Sequence, residues 1–441
     1  MSKIQVVWFR DLQTWSVALQ NAKQISSKFD LVKLSKVLID LTKSRTFIIK
    51  DNEFYQEPTI SSKTNLIAPR KQGLGKEFKV KKRVLILPND LVIAKMHTQN
   101  GLYAIAKETF ASTTTFIPFE IIENKINKDF LFIILKTTLQ RLQKFDSVNR
   151  ETYTTDEILD LQIPLPPLEI QNKIVADIHA IQTKIKALQV EEKRLKDEIE
   201  TYIYIALGLQ KPQSVQKQKV FVVRFKNLER WDTTYNQNKT INLYSSNTKF
   251  SKSKYPLVAL GEICTTNVGL TYEPKNISKT KQGIAVLRSN NIQNGEIDYN
   301  DLVYVDNTDI PNNKIANKGD LIICVRNGSA NLVGKTAMIE KNGMSFGAFM
   351  AIIRSKYNPY LYHFLQTDIF RNSVFEARTS GINQISQSDI KKFKIPLPPL
   401  QIQKEMVKNI EQKTSYIQEI VKQRIVLHNS IESQLQKMLI D

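Results

Sequence analysis

The chain has 441 residues, and 63 Lys+Arg outweigh 43 Asp+Glu to give a formal charge of +20. Two cysteines exclude a disulfide framework and a cysteine-rich zinc site, and no apolar run approaches the roughly 20 residues of a membrane helix. A soluble, cytoplasmic protein of two or three domains is expected, and the charge points to a polyanion partner.

In chain order, a first segment of short strands and turns comes first. Val84 to Ile93 is a β-branched apolar run broken by the turn signal Pro88-Asn89-Asp90. Lys128 to Lys144 reads as helical. Then comes Ile163-Pro164-Leu165-Pro166-Pro167-Leu168-Glu169-Ile170-Gln171. Each residue before a proline is pushed towards extended backbone. A proline in a first helical turn loses no hydrogen bond. An extended strap leading straight into a helix is predicted. That helix carries apolar residues at alternating spacings of four and three: Ile174, Ile178, Ile181, Ile185, Leu188, Leu195 and Ile199, with Glu192 on the same stripe. Gly208 and Pro212 mark its stop.

The order then repeats. Val6-Val7-Trp8-Phe9-Arg10-Asp11-Leu12 matches Val222-Val223-Arg224-Phe225-Lys226-Asn227-Leu228. Leu31-Val32-Lys33-Leu34 matches Leu257-Val258-Ala259-Leu260, and Asp90-Leu91-Val92-Ile93 matches Asp320-Leu321-Ile322-Ile323. Leu321 to Val325 is a strand, and Pro359 to Phe375 is helical. The strap returns as Ile395-Pro396-Leu397-Pro398-Pro399-Leu400-Gln401-Ile402-Gln403, identical at all but one position. A second heptad stripe follows, Met406, Ile410, Ile417, Ile420, Leu427 and Ile431, with Arg424 where the first has Glu192. The chain is two copies of one unit. Each stripe needs an apolar partner, and the two helices most simply pack antiparallel as a coiled coil. The expected domains are 1–165, a helical spacer 166–210, a linker and second domain 211–401, and a second spacer 402–441. The charge follows this division, with +8 on residues 1–165 and −1 on 166–210.

Signs of catalysis are few. Gly328 to Thr336 is similar to a phosphate-binding Walker loop but has five residues between Gly328 and Gly334, one more than the four that loop requires. A hairpin tip that presents Arg326, Asn327, Ser329 and Lys335 is the better reading. Asn358-Pro359-Tyr360 lacks one proline of an amino-methyltransferase tetrad. His97, His179, His363 and His428 have no metal-ligand spacing. A non-enzyme is expected. A coiled-coil scaffold whose charge is incidental is the alternative.

The duplicated strap followed by a heptad helix resembles the specificity subunits of type I restriction-modification systems. Tyr255-Pro256-Leu257-Val258-Ala259-Leu260-Gly261-Glu262-Ile263, Leu287-Arg288-Ser289-Asn290-Asn291-Ile292, Lys318-Gly319-Asp320-Leu321-Ile322 and Gly381-Ile382-Asn383-Gln384-Ile385-Ser386 add to the likeness. The first copy lacks a Leu-Arg-Ser-Asn counterpart. The resemblance implies an α+β fold: two mixed α/β DNA target recognition domains, separated by two long antiparallel coiled-coil helices, with a pseudo-two-fold internal duplication. It implies that each domain reads one half of a split site in double-stranded DNA. The helix pair would dock two methylation subunits, and restriction subunits could join. No cofactor is expected on this chain; S-adenosylmethionine, ATP and magnesium would sit on the partners. A specificity protein of a related fused methylase-nuclease system is a close alternative. Because turn-borne Arg, Asn, Gln and Lys suit base edges and phosphates, the expected DNA-facing residues are Lys71, Lys76, Lys95, His97, Gln99, Asn100 and Arg150 in the first domain. In the second they are Arg326, Asn327, Ser329, Lys335, Arg378, Ser380 and Gln384.

Overall fold

The structure is a computed structural model that describes residues 27–61, 64–142, 152–210, 222–228, 236, 250, 252–280, 282–306, 310–377 and 383–439. Val6 to Leu12, Arg150, Pro212, Arg378, Ser380, Gly381 and Ile382 lie outside the described residues. The chain divides into two compact units, Met1–Leu188 with Lys422–Asp441, and Gln189–Val421. The division runs through both long helices, Leu168–Leu207 and Leu400–Leu439.

In the first unit, strands Leu38–Asp40, Phe116–Ile121, Leu91–Ala94 and Tyr103–Ile105 form a four-stranded antiparallel sheet in that order. Strand Leu91–Ala94 is buried throughout, as its unbroken apolar sequence requires. In the second unit, Thr265–Val268, Met350–Arg354, Leu321–Cys324 and Thr336–Met338 make the matching antiparallel sheet. The central strand is preceded in both by a turn with a left-handed residue, Asn89 (φ 75°) or Gly319 (φ 91°). The aspartate after it accepts a backbone N–H from three residues back, Leu87 to Asp90 at 2.7 Å and Asn317 to Asp320 at 2.9 Å. Each aspartate also pairs with an arginine, Asp90 with Arg45 and Asp320 with Arg354.

The straps are built alike. Ile163 pairs with Val32 in antiparallel register, and Ile395 pairs with Val258. Leu165 N–H donates to Asp30 O, and Leu397 N–H donates to Pro256 O, both at 3.0 Å. Gln171 is fully buried and donates to Pro166 O at 2.8 Å, while Gln403 donates to Pro398 O at 2.7 Å. The glutamine satisfies a carbonyl that the proline-rich turn leaves without an N–H partner. A short helix precedes each strap. Thr155–Leu159 is opened by a Thr154–Glu157 capping box and Gln387–Lys392 by a Ser386–Asp389 one.

Two helices differ from the sequence expectation. Lys128–Leu139, capped by the Asn127 side chain, gives way to a turn at Gln140 and Arg141. The second helical stretch is broken into Asn358–Leu365 and Asp368–Ala377, and the Thr367 hydroxyl folds back on Phe364 O at 2.7 Å between them. A side-chain hydroxyl that takes a helix carbonyl competes with the next turn.

The heptad residues face inward within each unit. Ile174, Ile178, Ile181 and Ile185 are buried in the first; Leu195, Met406, Ile410, Ile417 and Ile420 are buried in the second. Leu188, Ile199, Leu427 and Ile431 are half-buried. Ile431 and Leu435 pack on the core that holds Ile174 and Ile178. In the second unit, Glu198 pairs with Lys413 at 2.5 Å and Tyr202 meets Asn409 at 2.9 Å, so the facing residues run in opposite directions. Glu192 pairs with Lys196 on its own helix at 2.5 Å. Gly208, with φ 70°, ends the first long helix; a Cβ there would meet Lys252 O at 2.7 Å.

Candidate nucleic-acid interface

In the second unit the polar residues gather beyond the central strand Leu321–Cys324. Arg326 and Gln384 form an isolated antiparallel bridge. Val325 and Arg326 N–H both donate to Phe349 O, at 2.9 and 3.2 Å. The Arg326 guanidinium lies 5.0 Å from the centre of the exposed Phe349 ring. Such a contact stabilises an exposed arginine by about 0.5–1 kcal/mol. Asn327 donates to Ser289 Oγ at 2.9 Å and accepts from Ser329 N–H at 2.9 Å. Asn383 donates to Gly328 O at 2.9 Å. Arg326, Asn327, Ser329 and Gln384 therefore share one surface. Lys335 is half-buried at the far side of the turn and donates to Ile292 O at 3.3 Å. Phe349, Ser289 and Asn383 join this surface without being among the expected DNA-facing residues. Their contributions depend on long-range contacts, although Ser289 and Asn383 lie in two of the segments that carry the family likeness.

The Gly328–Thr336 segment links two antiparallel strands through the short turn Ala330–Leu332. A phosphate-binding loop of the Walker kind leads from a strand into a helix N-terminus, and no such helix follows here. Gly334 takes φ 86°, and a Cβ would press on Val374 at 2.8 Å. Packing accounts for that glycine. Burial pushes the Cys264 and Cys324 thiols up to about 11. Burial also pushes His363 down to about 4. His97, His179 and His428 are exposed. Among the described residues no three His, Cys, Asp or Glu side chains are placed to hold a metal, and no helix is long and apolar enough to cross a membrane.

The first unit separates its predicted residues into two groups. Lys71 and Lys76 belong to the hairpin Phe54–Ile60/Ile67–Leu74 and the turn after it. Lys71 donates to Glu77 O at 2.6 Å and lies over Phe78, and Lys76 is exposed. Arg83, from the basic run Lys81-Lys82-Arg83, is buried against Glu57 at 2.9 Å, so it is part of the core rather than the surface. Lys95, His97, Gln99 and Asn100 follow the central strand Leu91–Ala94. His97 is exposed in a left-handed conformation, φ 53°. Lys95 N–H donates to Thr115 O at 2.8 Å, and Met96 bridges Thr152 in the antiparallel sense. Tyr153 N–H donates to Lys95 O just as Ile385 N–H donates to Val325 O, each at 2.9 Å. Met96–Thr152 is thus the first unit's counterpart of Arg326–Gln384.

A mixed α/β module, closed by a proline strap and continued by a long helix, is built twice in this chain. Residues 28–201 and 252–427 each match the Type I restriction modification DNA specificity domain, and the chain belongs to that family. It is similar to the Type I restriction enzyme EcoKI specificity subunit of Escherichia coli strain K12, at 28% identity over 162 residues, 35% of each chain. It is also similar to the Type I restriction enzyme StySPI specificity subunit of Salmonella potsdam, at 30% identity over 150 residues, 32% of each chain. These matches span about a third of each relative. A solved chain from work on complex assembly and conformational transition of the type I R-M system covers 94% of this chain and 98% of its own length. It shares 18% identity with a TM-score of 0.52, a likeness of fold.

Proposed function

We propose that this chain is the DNA-reading subunit of a type I restriction-modification complex and catalyses no reaction itself. The reading rests above all on the duplicated module, in which one framework presents two different polar surfaces. Two readers in one chain suit a bipartite site, whose half-site spacing is a matter of geometry. The domains are 1–165 and 211–401, and the spacers are 166–210 and 402–441. The two long helices pair as an antiparallel coiled coil, relate the modules by a pseudo-two-fold axis, fix the half-site separation and dock two methylation subunits. Restriction subunits join that complex. S-adenosylmethionine, ATP and magnesium belong to the partners, and the complex works in the cytoplasm.

Lysines and arginines supply salt-dependent affinity through phosphates, and turn-borne residues supply specificity. In the second domain those are Arg326, Asn327, Ser329, Lys335 and Gln384, with Arg378 and Ser380. In the first they are Lys71, Lys76, Lys95, His97, Gln99 and Asn100, with Arg150. The test is the adenine-methylation pattern of the host genome at single-base resolution, with the gene present and deleted. Loss of one split motif, two short blocks around a fixed unread gap, is the expected result. An unchanged pattern in cells that express the chain and its methylation partners overturns the reading.

A further inference from the structure

The bridge that closes the end of the central strand occupies the same place in both units but carries different side chains. Arg326 pairs with Gln384 in the second, and Met96 pairs with Thr152 in the first. Within the second unit's turn, most polar side chains are already committed. Asn327 is held by Ser289 and Ser329, Asn383 by Gly328 O, and Lys335 by Ile292 O. Arg326 differs: it is exposed, and its guanidinium meets the face of Phe349. Contact with a ring face uses none of the hydrogen-bond acceptors that the five guanidinium donors seek. A planar fork on a fixed platform suits two adjacent acceptors in one plane, and guanine O6 and N7 offer them in the major groove.

The first unit carries different residues at both positions. The acceptor that takes the N–H of Lys95 is Thr115, where the second unit has Phe349 taking that of Val325. A threonine thus stands where the second unit has an aromatic ring, and the bridge residue is the apolar, half-buried Met96. An apolar side chain at a base edge suits the thymine methyl group.

We propose that this bridge position sets base identity in each half-site: Arg326 reads a guanine, and Met96 packs on a thymine methyl. The proposal rests on the DNA-reading function put forward above. It is tested with the complex of the full chain and its methylation subunits. Methylation rates are measured on the cognate duplex and on duplexes with one base pair replaced.

The wild-type complex should discriminate against loss of one G·C pair in one half by about tenfold or more. Arg326→Met should bring that ratio near one while leaving every ratio in the other half unchanged, which also shows that the variant is folded. Met96→Arg should alter a single A·T position in the opposite half. If Arg326→Met is inactive on every duplex, Arg326→Lys decides: a reduced guanine ratio supports the proposal and an unchanged one overturns it. An unchanged guanine ratio in active Arg326→Met, or both variants acting in the same half, also overturns it. A wild-type complex with no split motif at all would instead sink the DNA-reading function itself.

Discussion

The two straps are near copies, and the two turns beyond Ile93 and Ile323 are not. In the straps, register, backbone bonds and the glutamine that returns to a proline carbonyl coincide. In the turns the backbone bridge coincides, but Met96–Thr152 faces Arg326–Gln384. The central aspartates lie between these extremes. Asp90 and Asp320 accept the same turn N–H, yet Arg45 precedes strand Thr46–Ile48 whereas Arg354 ends strand Met350–Arg354. A frame is held where a buried polar group must be satisfied, and the partner is free to come from elsewhere. Side chains diverge where only solvent or a ligand constrains them.

The strap glutamines give the largest effect. Gln171 accepts from Asn127 N–H at 2.7 Å and donates to Lys125 O and Pro166 O at 3.4 and 2.8 Å. The Gln403 side chain makes a single described bond, to Pro398 O. Each buried group left unsatisfied costs about 1–3 kcal/mol. Gln171→Leu should therefore destabilise by about 3 kcal/mol or more, and Gln403→Leu by about half as much. Denaturant unfolding of the two variants checks this, and equal costs would break the asymmetry between the straps.

Acid should separate the units next. His363 has a folded pKa of about 4, below the ordinary value of 6.5, because burial penalises its charged form. A depressed pKa means that the unfolded chain takes the proton first. Stability is then fully present above pH 6.5 and is lost as pH falls towards 4, by up to about 3 kcal/mol. The first unit's helix Lys128–Leu139 contains no histidine. Hydrogen exchange should show the second unit loosening first on acidification, and His363→Gln should remove that part of the pH dependence.

The smallest effect concerns phosphate contacts. Lys76 is exposed, whereas Lys335 is half-buried and tied to Ile292 O. Lys76→Ala should lower the slope of log K against log salt by about one, as loss of one phosphate contact does. Lys335→Ala should lower it by less. Equal slopes in a binding titration of the complex would erase the distinction.

Much of the frame was legible in the sequence because periodicity and prolines act locally. The straps, the central strands, the heptad stripes and the Gly208 stop follow from residues within a few positions of each other. The broken helix at Thr367 was not legible, since its apolar pattern continues across the break. Neither was the burial of Arg83, which depends on Glu57 across a hairpin. The Phe349 platform and the Met96–Thr152 counterpart were also hidden, because pairing between distant segments defines them. The expected DNA-facing residues Lys95 and His97 stand on either side of Met96, the residue that forms the bridge.

The first unit includes the segment from Lys422 onward. Leu439 is buried in its core, and Leu439 O accepts the Lys28 N–H at 3.0 Å. On the ribosome, the whole of Gln189–Val421 must be made before that segment appears. At roughly 5–20 residues per second the early-made unit waits tens of seconds with part of its core uncovered. The unit synthesised first is finished last, and the second can close while the first is still open.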